Sequence, residues 1–281
     1  HGMIQHIVLD IEGDFSSLRE KFDYVLAGKD GDIEADPSSA GMLAEKILEL
    51  KADLIVDLYE LKQHDRIMFI KEFLEAMNNA PKKLWHPVLI IIDEAHIFCP
   101  EKGKAESKSA VIDLCTRGRK RGFCPVLATQ RISKLHKDAA AECNNKLIGR
   151  TGLDIDVKRS GEELGLPLNR ETTEKLRNLE PGEFYVFGPA ISREVKTGKI
   201  WPVKTTHSRA GQTKFGHKPP ASAKIKQKLE NLAELQAKAE DELVTIEALQ
   251  KENRDLKSAV KNLENKLSSA PAKMDQAKLK E

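Results

Sequence analysis

Long hydrophobic runs, aromatic residues and closely spaced cysteines are all scarce in this sequence. The 281 residues are 5% aromatic and 32% charged, so the apolar residues must be concentrated in part of the chain. The longest apolar run is too short to span a membrane and the opening residues do not resemble a signal leader, so we expect a soluble, cytoplasmic protein with no membrane partner. The four cysteines form no C-x-x-C pair and have no histidine at ligand spacing, which argues against a zinc site and against a disulfide framework.

The sequence instead alternates between strand-like and helix-like segments. The five residues from Val88 to Ile92 are too few and too β-branched for a helix, and they predict a strand buried on both faces. This alternation is typical of right-handed crossovers and a mostly parallel sheet, so we expect an α/β fold. Further strands are predicted at residues 6–9, 24–27, 54–58, 125–128, 146–149, 183–188 and 199–203, and helices at 37–48, 67–77, 107–115, 138–144, 154–164 and 171–176.

Polar side chains follow four of the predicted strands. Because the carboxyl ends of parallel strands meet at one edge, we expect all four groups on one side of one sheet. Acids that hold Mg²⁺ and align water, together with nearby cations, are what phosphoryl transfer requires. Acids in the first turn of a helix, placed to suit its dipole, are the simpler explanation of any single group. The four groups are Asp10 and Glu12; Asp93 and Glu94; Thr129, Gln130 and Arg131; and Arg150.

A basic cluster precedes the strand at 125–128. Four cations lie within the five positions from Arg117 to Arg121. A basic helix end that is capped by Gly122 would account for one or two of them. Contact with phosphate groups would account for the rest, and would make binding depend on salt.

At these residues the sequence resembles a known family. Asp93-Glu94-Ala95-His96 resembles a Walker B motif, and residues 127–131, Leu-Ala-Thr-Gln-Arg, resemble the sensor strand of the HerA/FtsK group of P-loop ATPases. The basic residues 118–122 and the Asp-x-Glu-Gly sequence at 10–13 are also similar to that group, and the likeness covers residues 4–207. It implies a RecA-like core, ATP and Mg²⁺ as ligands, a hexameric ring with ATP between subunits, and double-stranded DNA as the track. The sequence leaves open whether a nuclease is a partner.

The resemblance also implies a role for each acidic or polar residue that matches. Asp93 would bind Mg²⁺ through water, and Glu94 would polarise the attacking water molecule. Gln130 would report the γ-phosphate of ATP. Asp10 and Glu12 would help to shape the metal or water site.

An arginine finger that reaches a neighbouring subunit's ATP is implied as well. Arg119 is the first candidate for it. Arg117, Arg121 and Arg150 are the alternatives, and a single sequence does not separate them. A finger that acts in trans requires a ring.

The sequence departs from the family in one respect. It contains no G-x-x-x-x-G-K-[ST], because Gly103-Lys104-Ala105 and Gly198-Lys199-Ile200 both lack the hydroxyl after the lysine and the upstream glycine. In the family this phosphate loop precedes the strand that here begins near Ile4. We therefore expect an amino-terminally truncated fragment of a longer ATPase, which alone binds ATP weakly and hydrolyses it negligibly.

The domain prediction places an ATPase core at residues 1–207. Residues 208–224 are rich in Gly, Lys and Pro and predict a linker. A heptad pattern over 225–268 predicts a coiled-coil helix, in which Asn253 at an a position favours a two-stranded pairing. A single amphipathic helix that folds back on the core is the alternative. Residues 269–281 are polar and are predicted to be disordered.

Two other functions are compatible with parts of the sequence. A non-catalytic scaffold derived from an ATPase, acting through its coiled coil, would explain the missing phosphate loop, although it has no need of Asp93, Glu94 and Gln130. DEAH also marks a class of helicases with two RecA-like domains, but after His207 only a linker and a coil follow. The main hypothesis is an ATP-hydrolysing DNA translocase of the HerA/FtsK type.

Overall fold

A parallel sheet of five strands forms the centre of the fold. The computed structural model describes residues 4–206, 251, 253–258 and 260–265. The strand order is β2-β3-β1-β4-β5, and every neighbouring pair is parallel, as the strand and helix alternation predicts. The strands are β1 Gln5–Asp10, β2 Tyr24–Ala27, β3 Asp53–Asp57, β4 Val88–Ile92 and β5 Phe123–Leu127.

Helices follow the strands at the predicted places. The first helix buries one face, as the spacing of its apolar residues predicts. The buried residues of this face are Ala40, Leu43, Ala44, Ile47 and Leu48. The first and second helices pack together, and the second packs against the third. The helices are α1 Ala40–Leu50, α2 Gln63–Asn79, α3 Lys108–Arg117, α4 Lys137–Glu142, α5 Asp154–Glu163 and α6 Arg170–Arg177.

A second sheet has three antiparallel strands: β6 Lys146–Ile148, β7 Glu183–Gly188 and β8 Ser192–Lys199. The expectation that all four polar strand ends lie on one sheet is therefore wrong for Arg150, which follows β6. The prediction of a strand at 199–203 is also wrong. The chain turns after Gly188 into β8, whose mostly polar sequence, Ser-Arg-Glu-Val-Lys-Thr-Gly-Lys, has no apolar run that would signal a strand.

Burial in the parallel sheet differs from the prediction at two strands. The interior strand β4 is buried on one face, whereas Leu89 and Ile91 on the other are only partly covered. The prediction that the next strand is buried is wrong, since β5 is an edge of the sheet and Cys124 and Val126 are exposed, Val126 to 40%. Both β4 and β5 consist mainly of apolar residues, so composition does not distinguish an edge strand from an interior one.

The predicted linker at 208–224 and tail at 269–281 lie outside the described residues, as does most of the predicted coil at 225–268. The described residues between 251 and 265 are helical. On this helix Leu256, Val260 and Leu263, which occupy heptad positions, are 52–65% exposed. Among the helices of the described ranges, none combines the length and the apolar character that crossing a membrane requires.

Candidate functional site

The strand registers bring the predicted acids of the parallel sheet into one row. Asp10 is paired with Asp57 on β3, and on the other side Leu9 is paired with Ile92, so that Asp10 and Asp93 are the next residues of adjacent strands. Ile92 is in turn paired with Leu127, two residues before Thr129. Neighbouring strands lie about 4.8 Å apart. We call this edge, from Asp57 through Asp10 and Asp93 to residues 129–130, the carboxyl rim.

Asp10 holds the backbone of the loop that follows β1. It is fully buried, its Oδ1 accepts hydrogen bonds from the backbone N–H of Glu12 (3.1 Å) and Gly13 (2.7 Å), and its Oδ2 accepts one from Phe15 (2.9 Å). Burial raises the pKa of Asp10, the loop hydrogen bonds oppose the rise, and the nearby Asp57 adds to it. Three of its acceptor positions are thus filled by the protein itself. Asp10 organises the rim instead of facing a ligand with both oxygens.

Asp93 is the rim acid whose charge is least compensated. Burial raises its pKa to about 6, a hydrogen bond from the backbone of Glu94 opposes the rise, and the charges of Asp10, Glu94 and Glu12 add to it. A cation beside Asp93 would relieve this crowding of negative charge. The crowding is therefore the feature of the rim that best fits a divalent metal ion.

Glu94 is buried and lies in an unusual backbone conformation. It is 8% exposed, and its φ of 45° is in the left-handed region, where a side chain with a Cβ is strained. Its Oε2 accepts the backbone N–H of Gln130 at 3.2 Å and lies 3.1 Å from Nδ1 of His96. The structure thus brings Glu94 and Gln130 together, as the sequence predicts. The hydrogen bond from Gln130 holds the carboxylate against the end of β5.

His96 and Thr129 complete this group; Thr129 was predicted only as part of the polar group after its strand, without a role of its own, and His96 was not predicted as a site residue. Nδ1 of His96 lies 2.9 Å from Oγ1 of Thr129, and that hydroxyl oxygen also accepts the backbone N–H of Arg131 at 3.0 Å. Burial lowers the pKa of His96, partly against the attraction of Glu94, so the ring is neutral at neutral pH. A carboxylate only accepts hydrogen bonds, so the Nδ1 nitrogen carries the proton. The motif contained the signal, since both residues lie in the segments that resemble the family.

Asp57 is a further rim residue that the sequence argument missed. It is paired with Asp10 and its Oδ1 accepts the backbone N–H of Tyr59 at 3.0 Å. A Cβ on Gly13 would lie 3.2 Å from this oxygen, so the loop after β1 packs closely over it. The available signal was its position at the end of a predicted strand, the same feature that identifies Asp10 and Asp93.

Parts of this sequence are similar to a protein-family model and to two archaeal proteins. A family model described as zonular occludens toxin (Zot) matches residues 43–161. The probable DNA double-strand break repair helicase HerA of Methanocaldococcus jannaschii is 30% identical over 154 residues, which are 54% of this chain and 29% of that protein. The DNA double-strand break repair helicase HerA of Pyrococcus furiosus is 28% identical over 151 residues, 52% of this chain and 26% of that protein. The chain is a relative of the HerA/FtsK-type P-loop ATPases.

The chain thus spans under a third of the length of these two HerA relatives. Among solved structures, the genome packaging NTPase B204 from Sulfolobus turreted icosahedral virus 2 in complex with AMPPCP aligns with a TM-score of 0.44 and 17% identity, over 71% of this chain and 98% of that one. The plasmid coupling protein TrwB in complex with ADP and Mg²⁺ aligns with a TM-score of 0.42 and 14% identity, over 58% and 44%.

In this HerA relative the candidate arginines have different surroundings. Arg119 is exposed, and Arg117 is exposed and lies 3.9 Å from Asp113. Arg121 is partly buried, since its guanidinium lies over the ring of Trp85 at 5.5 Å and its Nη1 donates to the carbonyl of Arg117 at 3.1 Å. Arg150 is exposed at the end of β6, outside the parallel sheet. Arg121 is therefore occupied within its own chain.

The donor set of the rim fits a metal ion that arrives on a nucleotide. Among the residues that the structure describes, no three or more His, Cys, Asp or Glu side chains are grouped so that they could hold a metal ion. Mg²⁺ commonly takes only one or two protein carboxylates and completes its shell with phosphates and water. Asp93 provides one such carboxylate, and Glu12 is exposed nearby on the loop that Asp10 organises. Both can therefore take part without displacing a hydrogen bond of Asp10.

Proposed function

We propose that this chain is part of an ATP-hydrolysing DNA translocase or helicase-like motor subunit of the HerA/FtsK type. The observation that carries the proposal is the meeting of Asp93, Glu94 and the Gln130 backbone at the carboxyl rim, in a chain related to HerA. An acid that carries uncompensated charge and a second acid held beside a polar peptide are what hydrolysis of a nucleoside triphosphate requires.

Each rim residue has a separate task in this proposal. Asp93 holds Mg²⁺, which when bound with ATP neutralises charge on the phosphates. Glu94 orients the attacking water and accepts its proton on Oε1, since His96 and the Gln130 N–H both contact Oε2. Gln130 lies beside Glu94 and its side chain is exposed, so it can meet the γ-phosphate. Asp10 keeps the loop of Glu12 in place.

A phosphate-binding loop from outside these 281 residues would complete the site next to β5. β4 already has neighbours on both sides, β1 and β5, so a strand that delivers a loop close to Glu94 and Gln130 must enter along the open edge of β5. Cys124 and Val126 are exposed on this strand, which suits an edge that a further apolar strand covers. The backbone amides and lysine of a G-x-x-x-x-G-K-[ST] would then cradle the β- and γ-phosphates.

ATP binding tests the proposal directly. The chain as it stands should bind Mg·ATP weakly and hydrolyse it negligibly, and Asp93→Asn should abolish the part of the binding that depends on Mg²⁺. Asp138→Asn, on an exposed acid of α4, is the matched control. Titration calorimetry with ATPγS, with and without Mg²⁺, measures this. Binding that ignores Asp93→Asn would contradict the proposal.

A gain of activity is the sharper test. A strand, a G-x-x-x-x-G-K-[ST] loop and a helix joined ahead of Ile4 should produce ATP hydrolysis, and Glu94→Gln should remove it. If the 281-residue chain itself hydrolyses ATP at the rate of an intact ATPase, the missing phosphate loop does not limit hydrolysis. Activity that persists after Glu94→Gln would exclude Glu94 as the base.

Double-stranded DNA is the proposed track, and a hexameric ring the proposed assembly. Arg119, with Arg117 and Arg150, is exposed and available either to DNA phosphates or to a neighbouring subunit's ATP. Filter binding of duplex DNA at several salt concentrations should show affinity that falls steeply as salt rises. Affinity that does not respond to salt would remove phosphate contact from the proposal. A partner nuclease would be sought by copurification with the intact ring.

A non-catalytic scaffold remains the second candidate, because the sequence has no phosphate loop. In that case the helix at 251–265 would recruit a partner through Leu256, Val260 and Leu263. The chain extended by a phosphate loop distinguishes the two functions. Hydrolysis that requires Glu94 supports the motor, and its absence in a folded protein supports the scaffold.

A further inference from the structure

A buried carboxylate on α5 holds the chain directly after Gln130. Asp156 is 2% exposed, its Oδ2 accepts Nε of Arg131 at 3.0 Å, and its Oδ1 accepts the backbone N–H of Ser133 at 2.8 Å. Ile132, between them, packs against the apolar cluster of Ile148, Val157, Leu164 and Leu176, which joins β6, α5 and α6. Three consecutive residues after the rim are thus attached to the layer of the antiparallel sheet.

Arg131 connects this attachment to the rim. Its backbone N–H donates to Oγ1 of Thr129, which contacts His96, and His96 contacts Glu94. The neighbouring peptide N–H, of Gln130, donates to the same Glu94 oxygen. Polar contacts therefore run without a gap from Glu94 to Asp156. At the Asp156 end, this path meets the apolar cluster that Ile132 contacts.

Both carboxylate oxygens of Asp156 accept hydrogen bonds. A buried carboxylate is costly unless its oxygens are occupied by donors, and here one oxygen takes a guanidinium and the other a backbone N–H. Burial raises the pKa of Asp156, but the contacts with Ser133 and Arg131 outweigh it and hold the pKa below its ordinary value. Asp156 stays ionised at neutral pH. Asp154, two residues earlier on the same helix, is 89% exposed and pairs with Arg177 instead.

We propose that Asp156 is a positioning residue: by holding Arg131 and Ser133 it fixes the Gln130 peptide against Glu94 and couples the carboxyl rim to the β6–β8 sheet. Its significance for ATP rests on the proposed function, but the coupling itself exists without nucleotide. A change at Glu94 is then felt at α5, and a change at α5 is felt at Glu94, since coupling between two sites is reciprocal.

The test compares Asp156→Asn with Asp154→Asn in the nucleotide-free protein. NMR spectra should show that Asp156→Asn moves the Gln130 amide and the His96 ring signals, and that exchange of the Gln130 N–H, bonded to Glu94, becomes about tenfold faster. Asp154→Asn should leave all three unchanged. If Asp156 only stabilises α5, its replacement alters the helix signals and the melting temperature while Gln130 and His96 keep their wild-type values, and the proposal is overturned.

Two further variants separate coupling from general loosening. Arg131→Gln should also speed exchange of the Gln130 N–H, and the double variant should speed it by less than the two single effects combined, since both variants remove the contact between Arg131 and Asp156. Glu94→Gln should move the Ser133 amide; an unchanged Ser133 signal contradicts the coupling. If the chain extended by a phosphate loop shows no hydrolysis that requires Glu94 while these couplings are present, the proposed function fails and the positioning role of Asp156 stands.

Discussion

Asp10 and Asp93 follow an aligned pair of residues on adjacent parallel strands, yet their carboxylates differ in the hydrogen bonds that they accept. The oxygens of Asp10 accept three backbone N–H groups, whereas the pKa of Asp93 is raised to about 6 by burial and by neighbouring acids. Burial raises the pKa of both carboxyls, but at Asp10 several backbone N–H groups oppose the rise, whereas at Asp93 only the backbone of Glu94 does so. Asp10 therefore serves the structure of the rim, and Asp93 retains an unsatisfied charge for a cation.

Replacement of Asp93 should stabilise the protein. Its pKa is higher in the folded than in the unfolded chain, so the folded state binds more protons between pH 4 and 6, and stability falls as the pH rises through that window. Asp93→Asn removes this loss. Urea denaturation should show a variant whose advantage over wild type grows from pH 4 to pH 6 and is constant above pH 7. An advantage that shrinks as the pH rises would contradict the raised pKa.

Replacement of Asp10 should have the opposite effect. An asparagine keeps one carbonyl oxygen but turns an NH₂ group towards a backbone N–H that now has no acceptor. We expect Asp10→Asn to destabilise the fold by about 2 kcal/mol at pH 7. Glu12→Gln, on the exposed neighbour, is the control and should be neutral. Equal stability of the two variants would show that the loop does not depend on Asp10.

The sequence predicted the parallel sheet and most of the rim because both follow from local patterns. Apolar runs gave β1 to β5, and polar residues at the strand ends gave Asp10, Asp93 and Gln130. The placement of Arg150 was predicted wrongly because it depends on which strands pair with each other. The sequence of β6 looks like another parallel strand, and only its pairing with β7 shows that Arg150 follows a different sheet.

The roles of individual side chains were harder to predict for the same reason. Arg121 and Arg119 are equivalent in a sequence motif, but only Arg121 has Trp85, 36 positions earlier, beneath its guanidinium. Asp156 is not part of any of the sequence motifs described above. Its importance comes from a contact with Arg131 across 25 positions, which no local pattern encodes.

The two arginines should therefore separate stability from DNA binding. Arg121→Ala should lower the free energy of unfolding by about 1–2 kcal/mol, through loss of the stacking on Trp85 and of the hydrogen bond to Arg117. Arg119→Ala should leave stability unchanged and weaken duplex DNA binding, with the slope of log affinity against log salt reduced by about 0.9 if it contacts one phosphate. Thermal denaturation and filter binding measure the two effects. The opposite assignment of effects would mean that Arg121 is the exposed contact.

Gly122 should not tolerate a side chain, because its φ is positive and because a Cβ there would contact His86. Gly103 has only the positive φ and is therefore the control. Both have a positive φ, 86° and 92°, which disfavours alanine by about 1 kcal/mol at either position. A Cβ on Gly122 would also lie 2.6 Å from the carbonyl oxygen of His86, whereas a Cβ on Gly103 would meet nothing within 4 Å. Gly122→Ala should therefore destabilise the protein well beyond Gly103→Ala in urea denaturation.

Because Gly122 joins the basic cluster to β5, Gly122→Ala should also loosen Arg121 from Trp85, which tryptophan fluorescence would report. Equal losses in the two variants would mean that the chain shifts away from His86 at little cost.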